Sequence, residues 1–247
     1  MNALNRLLAA ALTLAATGTA LAQATISHDK ALAGSVTPGD AAGYPVTISQ
    51  PGSYKLMSNL VVPAGSDGIV ITASDVSLDL NGFRIVGSGT CAYFYHAVSC
   101  QNTTGIGIKG TGARGLSIEA GSVIGFMQGI AIDDGRVTAV NLRHNLFGLS
   151  IGYSTDVNDS GVVLISGLRA LMNKAGIASS NPGFYFPPAT MIERSVFSMN
   201  ETAIVGSQDT AVNESTVTSN GTGIYTGNVR ASLVTRNGKN TINTSAY

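Results

Sequence analysis

Apolar and polar residues alternate strictly along Val76–Leu80, where the apolar positions are separated by Ser77 and Asp79. This period of two is typical of a β-strand that buries one face and exposes the other. The two residues that follow, Asn81 and Gly82, are typical of a tight turn. The stretch therefore predicts a half-buried strand that ends at a sharp corner.

A second pattern, Asn-x-x-Gly/Ala-Ile/Leu, recurs along the chain. Asparagine tolerates the left-handed backbone of a tight corner, and the following glycine gives the chain room to enter the next strand. The Ile or Leu is then expected to face inward. The pattern begins at Asn102, Asn145, Asn173, Asn200 and Asn220. In five units an apolar residue lies three positions before the corner asparagine: Leu142, Ala170, Phe197, Val217 and Val234.

The Gly/Ala-Ile/Leu pairs define a repeat. From Gly68 onward their spacings are 37, 24, 19, 28, 27 and 20 residues, which fits a unit of about 20 residues with insertions. Short apolar segments separated by turns at this period predict the coils of a parallel β-solenoid, in which each coil buries its apolar face against its neighbours. Stacked asparagines could then hydrogen-bond along the axis at the strand spacing of about 4.8 Å.

These features resemble the right-handed parallel β-helix proteins of the pectate-lyase-like superfamily. The resemblance rests on residues 50–54 (QPGSY), the strand and turn at 76–82, the Gly-Ile strands and the asparagine repeat, and it covers roughly residues 45–245. It implies an all-β fold, a single-stranded right-handed parallel β-helix (β-solenoid) of about seven to eight coils. Members of the superfamily include polysaccharide lyases, hydrolases, epimerases and surface proteins, so the fold does not assign an activity.

The N-terminal residues 1–22 are typical of a secretory signal peptide. One basic residue, Arg6, precedes the apolar run Leu7–Ala16, which is too short for a membrane span and is followed by small residues. Residues 23–44 are expected to form a loosely packed lead-in, and residues 45–247 the β-helix domain, in which residues 45–62 cover the N-terminal end.

Charge gives no indication of a nucleic-acid or anionic-membrane partner. Removal of Arg6 with the signal peptide leaves 13 of the 14 basic residues against 14 acidic ones, a net charge near minus one. The fraction of charged residues is 11% and that of hydrophobic residues 44%, which indicates a folded chain.

The chain has two cysteines, Cys91 and Cys100. Because the chain is predicted to be exported to a secreted or periplasmic location, where disulfides persist, we expect them to be bonded to each other. The loop between them interrupts the repeat. It contains His96, which has no carboxylate beside it in sequence, so a packed or solvent-facing role is favoured over acid-base chemistry.

Catalytic motifs of the resembled superfamily are not evident. Polygalacturonase-like members carry paired aspartates with further acidic, Gly-His and basic elements, whereas this chain offers only Asp133 and Asp134. Three histidines and six methionines are scattered and give no copper-ligand cluster. No cofactor is therefore predicted.

Calcium remains an alternative. Asp156-x-Asn158-x-Ser160-Gly161 is similar to the first half of an EF-hand loop, but Gly167 stands where that loop needs a bidentate glutamate. The EF-hand interpretation fails, and a looser calcium site would use Asp156, Asn158 and Asp159.

The repeat spacing indicates where a ligand could bind. The two longest late intervals place insertions at 153–160 and 179–189, both after a Gly-Leu or Gly-Ile strand and so at one corner of the solenoid. Carboxylates accept hydrogen bonds from sugar hydroxyls, and aromatic faces pack on sugar C–H groups. The predicted ligand-binding residues at this corner are Asp133, Asp134, Asp156, Asp159, Phe184, Tyr185 and Phe186. The simpler alternative is an ordinary turn with aromatic residues that cover the solenoid side.

Three functions follow as hypotheses. The favoured one is an exported carbohydrate-binding or cell-envelope-associated module whose partner is a polysaccharide or other glycan. The alternatives are a polysaccharide lyase or glycoside hydrolase, with acid and base drawn from Asp133, Asp134, Asp156 and Asp159, and a purely structural surface protein. A monomer with an irregular C-terminal cap is favoured over an oligomer.

Overall fold

The computed structural model describes residues 23–152, 161–179, 187–225 and 228–240. Its single helix, α1, spans His28–Ala33 within these ranges. The strands in chain order are β1 (Ala24–Ile26), β2 (Val46–Ile48), β3 (Gly52–Leu56), β4 (Leu60–Val61), β5 (Ile69–Ile71), β6 (Val76–Asp79), β7 (Arg84–Val86), β8 (Thr90–Phe94), β9 (Ala97–Gln101), β10 (Thr104–Lys109), β11 (Ser117–Ile124), β12 (Phe126–Ile132), β13 (Gly135–Arg143), β14 (Phe147–Ile151), β15 (Val162–Ser166), β16 (Arg169–Leu171), β17 (Ala175–Ser179), β18 (Ala189–Glu193), β19 (Val196–Ser198), β20 (Thr202–Val205), β21 (Thr210–Asn213), β22 (Thr216–Thr218), β23 (Thr222–Tyr225), β24 (Asn228–Arg230) and β25 (Leu233–Thr235).

The strands stack in three parallel rows. The first row is an eight-stranded sheet in the order β2-β5-β10-β12-β14-β17-β20-β23. The second and third rows share a 15-stranded sheet. The second row runs β3-β6-β11-β13-β15-β18-β21-β24 and is extended at its start by β1, and the third row continues through β4, β7, β16, β19, β22 and β25. One segment from each row makes one coil, and β11 and β13 each span the second and third rows. The described residues form eight such coils, which confirms the predicted parallel β-helix.

The core consists of inward columns along these rows. In the first row the register aligns Ile69, Ile108, Ile130, Leu149, Ile177, Ile204 and Ile224, and all are at most 1% exposed. The inward positions of the predicted strand Val76–Leu80 are likewise buried. Each such side chain contributes about 1.5–3 kcal/mol by leaving water.

The asparagine repeat forms a buried ladder at the corner between the third and first rows. The backbone N–H of Asn145 donates to Oδ1 of Asn173 at 3.0 Å, and the same bond links Asn173 to Asn200 and Asn200 to Asn220 at 2.9 Å. Asn220 donates in turn to Asn237 at 2.9 Å. The ladder therefore confirms the predicted axial hydrogen bonding.

Two details of the predicted corner are wrong. The left-handed residue is the one before each ladder asparagine, namely His144, Met172, Met199, Ser219 and Arg236, with φ between 52° and 58°. The asparagine itself must turn its amide inward to bond the next coil, so the preceding residue makes the bend. Asn102 is exposed and lies beside the β8–β9 hairpin, outside the ladder.

A serine ladder occupies the corner between the second and third rows. Leu168 N–H donates to Oγ of Ser195, Ser195 N–H to Oγ of Ser215, and Ser215 N–H to Oγ of Ser232, at 3.1–3.2 Å. A left-handed residue again precedes each serine. Both corners thus place a small inward polar side chain directly after the bend.

The N-terminal end differs from the sequence-based expectation. Residues 23–44 are packed rather than loose, because β1 pairs with β3 and the side chains of Ile26 and Ala31 are fully buried. The Asp40 carboxylate fixes this segment by accepting from the N–H groups of Val36 and Thr47 at 3.0 and 2.7 Å. Residues 45–62 form the first coil, and residues 23–44 are the cap.

The strands β8 and β9 form an antiparallel hairpin, termed here the clasp hairpin (residues 90–101). It leaves the solenoid at the corner of the asparagine ladder, which is not the corner of the two predicted insertions. Cys91 and Cys100 form the predicted disulfide within it. The hairpin lies along the ladder: His144 Nδ1 contacts the Cys91 carbonyl at 2.9 Å, whereas near the tip the Tyr93 hydroxyl donates to the Ser219 carbonyl at 2.6 Å. It therefore crosses the coils from Asn145 to Asn220.

Within the described ranges, no helix is long and apolar enough to cross a membrane. The predicted signal peptide (residues 1–22) and the last residues of the predicted C-terminal cap (241–247) lie outside the residues that the structure describes.

Candidate functional site

The corner between the first and second rows is the one predicted to carry ligand-binding residues. Three first-row strands end in register at Ile132, Ile151 and Ser179. The second-row strands of the same coils also begin close to register, since Gly135 is aligned with Val163 and Val162 with Ala189. The two predicted insertions therefore leave and return at one corner, as their spacing indicated. Of the predicted site residues, Asp156, Asp159, Phe184, Tyr185 and Phe186 lie outside the described residues.

The structure places Asp133 and Asp134 at this corner, where both carboxylates accept backbone N–H groups of adjacent coils. Asp133 accepts from Gly112 at 2.9 and 3.2 Å through its two oxygens. Asp134 accepts from Gly115 at 2.7 Å and from Val162 at 3.0 Å. These bonds join the coils on either side, so the two aspartates hold the corner in shape.

A groove opens from this corner onto the outer face of the second row; we term it the second-row groove. It consists of two adjoining depressions of about 290 and 330 Å³ that share Arg136 and Leu164. Its floor follows the strand register, with Ser117, Arg136, Leu164 and Met191 in one outward column. The groove thus crosses β11, β13, β15 and β18 along the solenoid axis.

The floor of the second-row groove combines apolar and polar groups. Val162 and Met191 are 49% and 41% exposed and flank Leu164, which makes an apolar strip where outward positions are usually polar. Next to the strip, Thr138, Ser166 and Glu193 form the adjacent outward column.

Two arginines flank this strip. Arg194 is held in place by two neighbours in the groove: its guanidinium contacts the Glu193 carboxylate at 3.3 Å and donates to Oγ of Ser166 at 3.1 Å. Arg136 is exposed, and no carboxylate in the described part of the chain lies within 4.0 Å of its guanidinium. The exposed Arg136 guanidinium is therefore a candidate contact for an anionic ligand.

Sequence reasoning missed the second-row groove. Its signal was the apolar character of consecutive positions in Val162–Ile165 and again in Met191–Ile192, where strict alternation would put polar residues outside. An outward apolar residue looks the same in sequence as an inward one, so these runs alone do not show which side chains are exposed.

Metal-binding clusters are not found among residues 23–152, 161–179, 187–225 and 228–240. No three His, Cys, Asp or Glu side chains there are grouped to hold a metal ion. The carboxylate lining the groove, Glu193, is paired with Arg194.

Comparisons with known proteins add no relative. No protein-family model matches the chain, and searches of curated proteins and of solved structures found no match.

Proposed function

We propose that this chain is an exported glycan-binding protein that holds a polysaccharide along the second-row groove. The observation that carries the proposal is the exposed apolar strip Val162, Leu164 and Met191 beside the exposed guanidinium of Arg136. Apolar side chains pack against the C–H face of a sugar ring, while hydroxyls and guanidinium groups bond its polar edge. The disulfide supports export, because disulfides persist outside the cytosol.

Arg136 favours an acidic glycan. A guanidinium binds a carboxylate through two parallel hydrogen bonds, which gives both affinity and orientation. Parallel coils repeat at about 4.8 Å along the axis, so an extended polymer lying in the groove meets the same outward columns on successive coils. A polymer of uronic acids is therefore the proposed ligand class. That the chain is a member of the pectate-lyase-like superfamily is a separate proposal.

The test is binding of the purified protein to a polyuronate and to a neutral polysaccharide of similar length, with chain cleavage followed in the same samples. We expect retention on the polyuronate without new reducing ends or unsaturated products. Arg136→Ala should weaken binding about 10- to 100-fold, the loss of one charged hydrogen-bonded pair. Leu164→Ser with Met191→Ser should weaken it similarly.

The matched control is Arg169→Ala, which removes an exposed arginine on the third row, away from the groove. It should leave binding unchanged. Equal affinity for the neutral polymer, or equal loss in both arginine variants, would contradict the proposed site. Cleavage would instead favour the enzyme alternative and direct attention to Asp133, Asp134, Asp156 and Asp159.

A further inference from the structure

The tip of the clasp hairpin exposes two aromatic side chains. Phe94 and Tyr95 are 72% and 83% exposed, the largest values among the exposed large hydrophobic residues described. Their rings contact each other edge to face, with centroids 4.2 Å apart and planes 78° apart. We term this pair the aromatic knob.

The knob is held rigidly. The disulfide closes the base of the hairpin, the Tyr93 hydroxyl donates to the Ser219 carbonyl, and the Val98 N–H donates to the Glu201 carboxylate at 3.0 Å. Near the tip, His96 Nδ1 contacts the Asn220 carbonyl at 3.1 Å. A rigid apolar group loses little conformational entropy on binding, which is the property of an interface anchor.

The turn that presents the knob is strained. Tyr95 and His96 form the two-residue turn with φ of 46° and 68°, positions that usually carry Asn and Gly. Each such residue in the left-handed region costs about 1–2 kcal/mol. The turn therefore carries a tyrosine at a position that its backbone geometry does not favour.

A partly apolar groove lies on the three coils that directly precede the coil of Asn220, which the hairpin tip contacts. This first-row groove has a volume of about 340 Å³ and is lined by Leu146, Phe147, Lys174, Glu201, Thr202 and Val205. Glu201 connects the two features directly, because it lines the groove and accepts from Val98 of the hairpin. Knob and groove are therefore neighbours along the ladder corner.

We propose that the aromatic knob of one copy of this chain occupies the first-row groove of a second copy, and the reverse, in a two-fold symmetric dimer. A two-fold axis between adjacent complementary features brings each knob onto the other copy's groove, which closes the assembly at two chains. This proposal is independent of glycan binding in the second-row groove.

The charge at the rim of the first-row groove also favours binding of the aromatic knob of a second copy. In the described part of the chain no carboxylate lies within 4.0 Å of the Lys174 ammonium group, and this residue is exposed at the groove rim. An ammonium group is attracted to the face of an aromatic ring. The clasp hairpin contains no Lys, Arg, Asp or Glu between Thr90 and Gln101, so it has no cationic group with which to draw the knob to an anionic membrane.

The contact area fits a stable dimer. An aromatic side chain buries about 150–250 Å², so the four rings of a two-fold dimer bury up to about 600–1,000 Å². The grooves that receive the rings and the hairpin surfaces beside them add to this area, and a specific interface of standard size buries about 1,200–2,000 Å².

The experiment is sedimentation velocity of the purified chain over a concentration series, with three sets of variants. We expect a monomer-dimer equilibrium whose dissociation constant rises at least about thirtyfold in Phe94→Ser/Tyr95→Ser, the loss typical of an interface anchor. Val205→Arg, which fills the first-row groove, should have the same effect. Met57→Ser and Val61→Ser, at exposed apolar positions on the first coils (52% and 61% exposed), should leave the constant unchanged.

A second measurement locates the contact. A photoreactive phenylalanine at position 95, in a mixture of light and heavy-isotope copies, should cross-link to the groove strands β14, β17 or β20 of the other copy. A wild-type chain that stays monomeric, or a dimer indifferent to both the knob and groove variants, overturns the proposal. Binding of the knob to neutral vesicles or to glycans in place of a second copy overturns it as well.

Discussion

The backbone carbonyl of His96 lies where a β-carbon at position 221 would stand, so only glycine fits beneath the tip of the clasp hairpin. Earlier coils carry Leu146, Lys174 and Glu201 at the equivalent position after the ladder asparagine. The chain changes to Gly221 where the hairpin passes over it. In the next coil Gly238 stands at this position, where a β-carbon would meet the Gly221 carbonyl and lie in ordinary contact with the His96 ring. The hairpin and the last coils are therefore matched in sequence.

Gly221→Ala should push the hairpin tip from the solenoid, because the added methyl group meets backbone rather than a flexible side chain. We expect a loss of about 1–3 kcal/mol in the free energy of unfolding and faster hydrogen exchange of the amides of residues 93–98. Lys174→Ala is the control, since that position already carries a side chain. Unchanged exchange in the hairpin would contradict the close approach.

Asn173→Ala should destabilise the middle of the ladder. The Asn173 side chain accepts from the N–H of Asn145, donates to the Leu142 carbonyl at 2.9 Å and donates to Asn200 at 3.1 Å, all in the buried interior. Its removal leaves several buried groups without partners, which costs about 3–5 kcal/mol in total.

The matched variant for the ladder is Asn237→Ala. Asn237 is only half-buried at the ladder's end, so its loss should cost about 1 kcal/mol. Urea denaturation of both variants measures the difference. Equal losses would show that position in the ladder does not matter and that the buried bonds are not the source of stability.

Alkaline pH should weaken the N-terminal cap through Tyr44. Burial raises the pKa of Tyr44 from 10.0 to about 12. The unfolded chain then releases the proton at lower pH than the folded chain does, so the stabilisation is complete below pH 10 and is lost as the pH rises towards 12.

Tyr44→Phe tests this titration. At pH 8 it should cost about 0.5–1.5 kcal/mol, because the Tyr44 hydroxyl contacts Nδ1 of His28 at 2.9 Å. Above pH 10 its unfolding free energy should fall less steeply than that of the wild type, while Tyr225→Phe at a half-exposed position follows the wild type. A residual decline is expected, because burial also raises the pKa of Tyr54 and of Tyr93. Parallel curves for Tyr44→Phe and wild type would contradict the assignment.

The fold was predictable because its signals are local and repeated. The alternation in Val76–Leu80 and the recurring asparagines report coil geometry directly, and the structure has both the strand and the ladder. The detail of the corner was not predictable from the same letters. Asparagine can adopt a left-handed backbone conformation, and its side-chain amide can also bond inside a stacked corner. Only the stacked coils show that the ladder asparagines use the amide, so that the preceding residue takes the left-handed conformation.

The surface contacts were not predictable, because they join residues that are distant in sequence. Asp133 and Asp134 bond backbone groups of neighbouring coils that no local pattern brings near, and their role in ligand binding stays a prediction. The clasp hairpin contacts Ser219 across 126 residues of sequence. The glycines at 221 and 238 were a signal for that contact, but one that has meaning only once the path of the hairpin is known.

The clasp hairpin also changes how the solenoid must unfold. In a simple repeat protein each coil interacts only with its neighbours, so terminal coils can fray one at a time. Here a crosslinked segment from an early coil is bonded to the coils of Asn145 and Asn220, which ties distant repeats into one cooperative unit. Loss of the last coils therefore requires release of the hairpin. Once the hairpin is released, the coils that it joins should unfold together rather than one at a time.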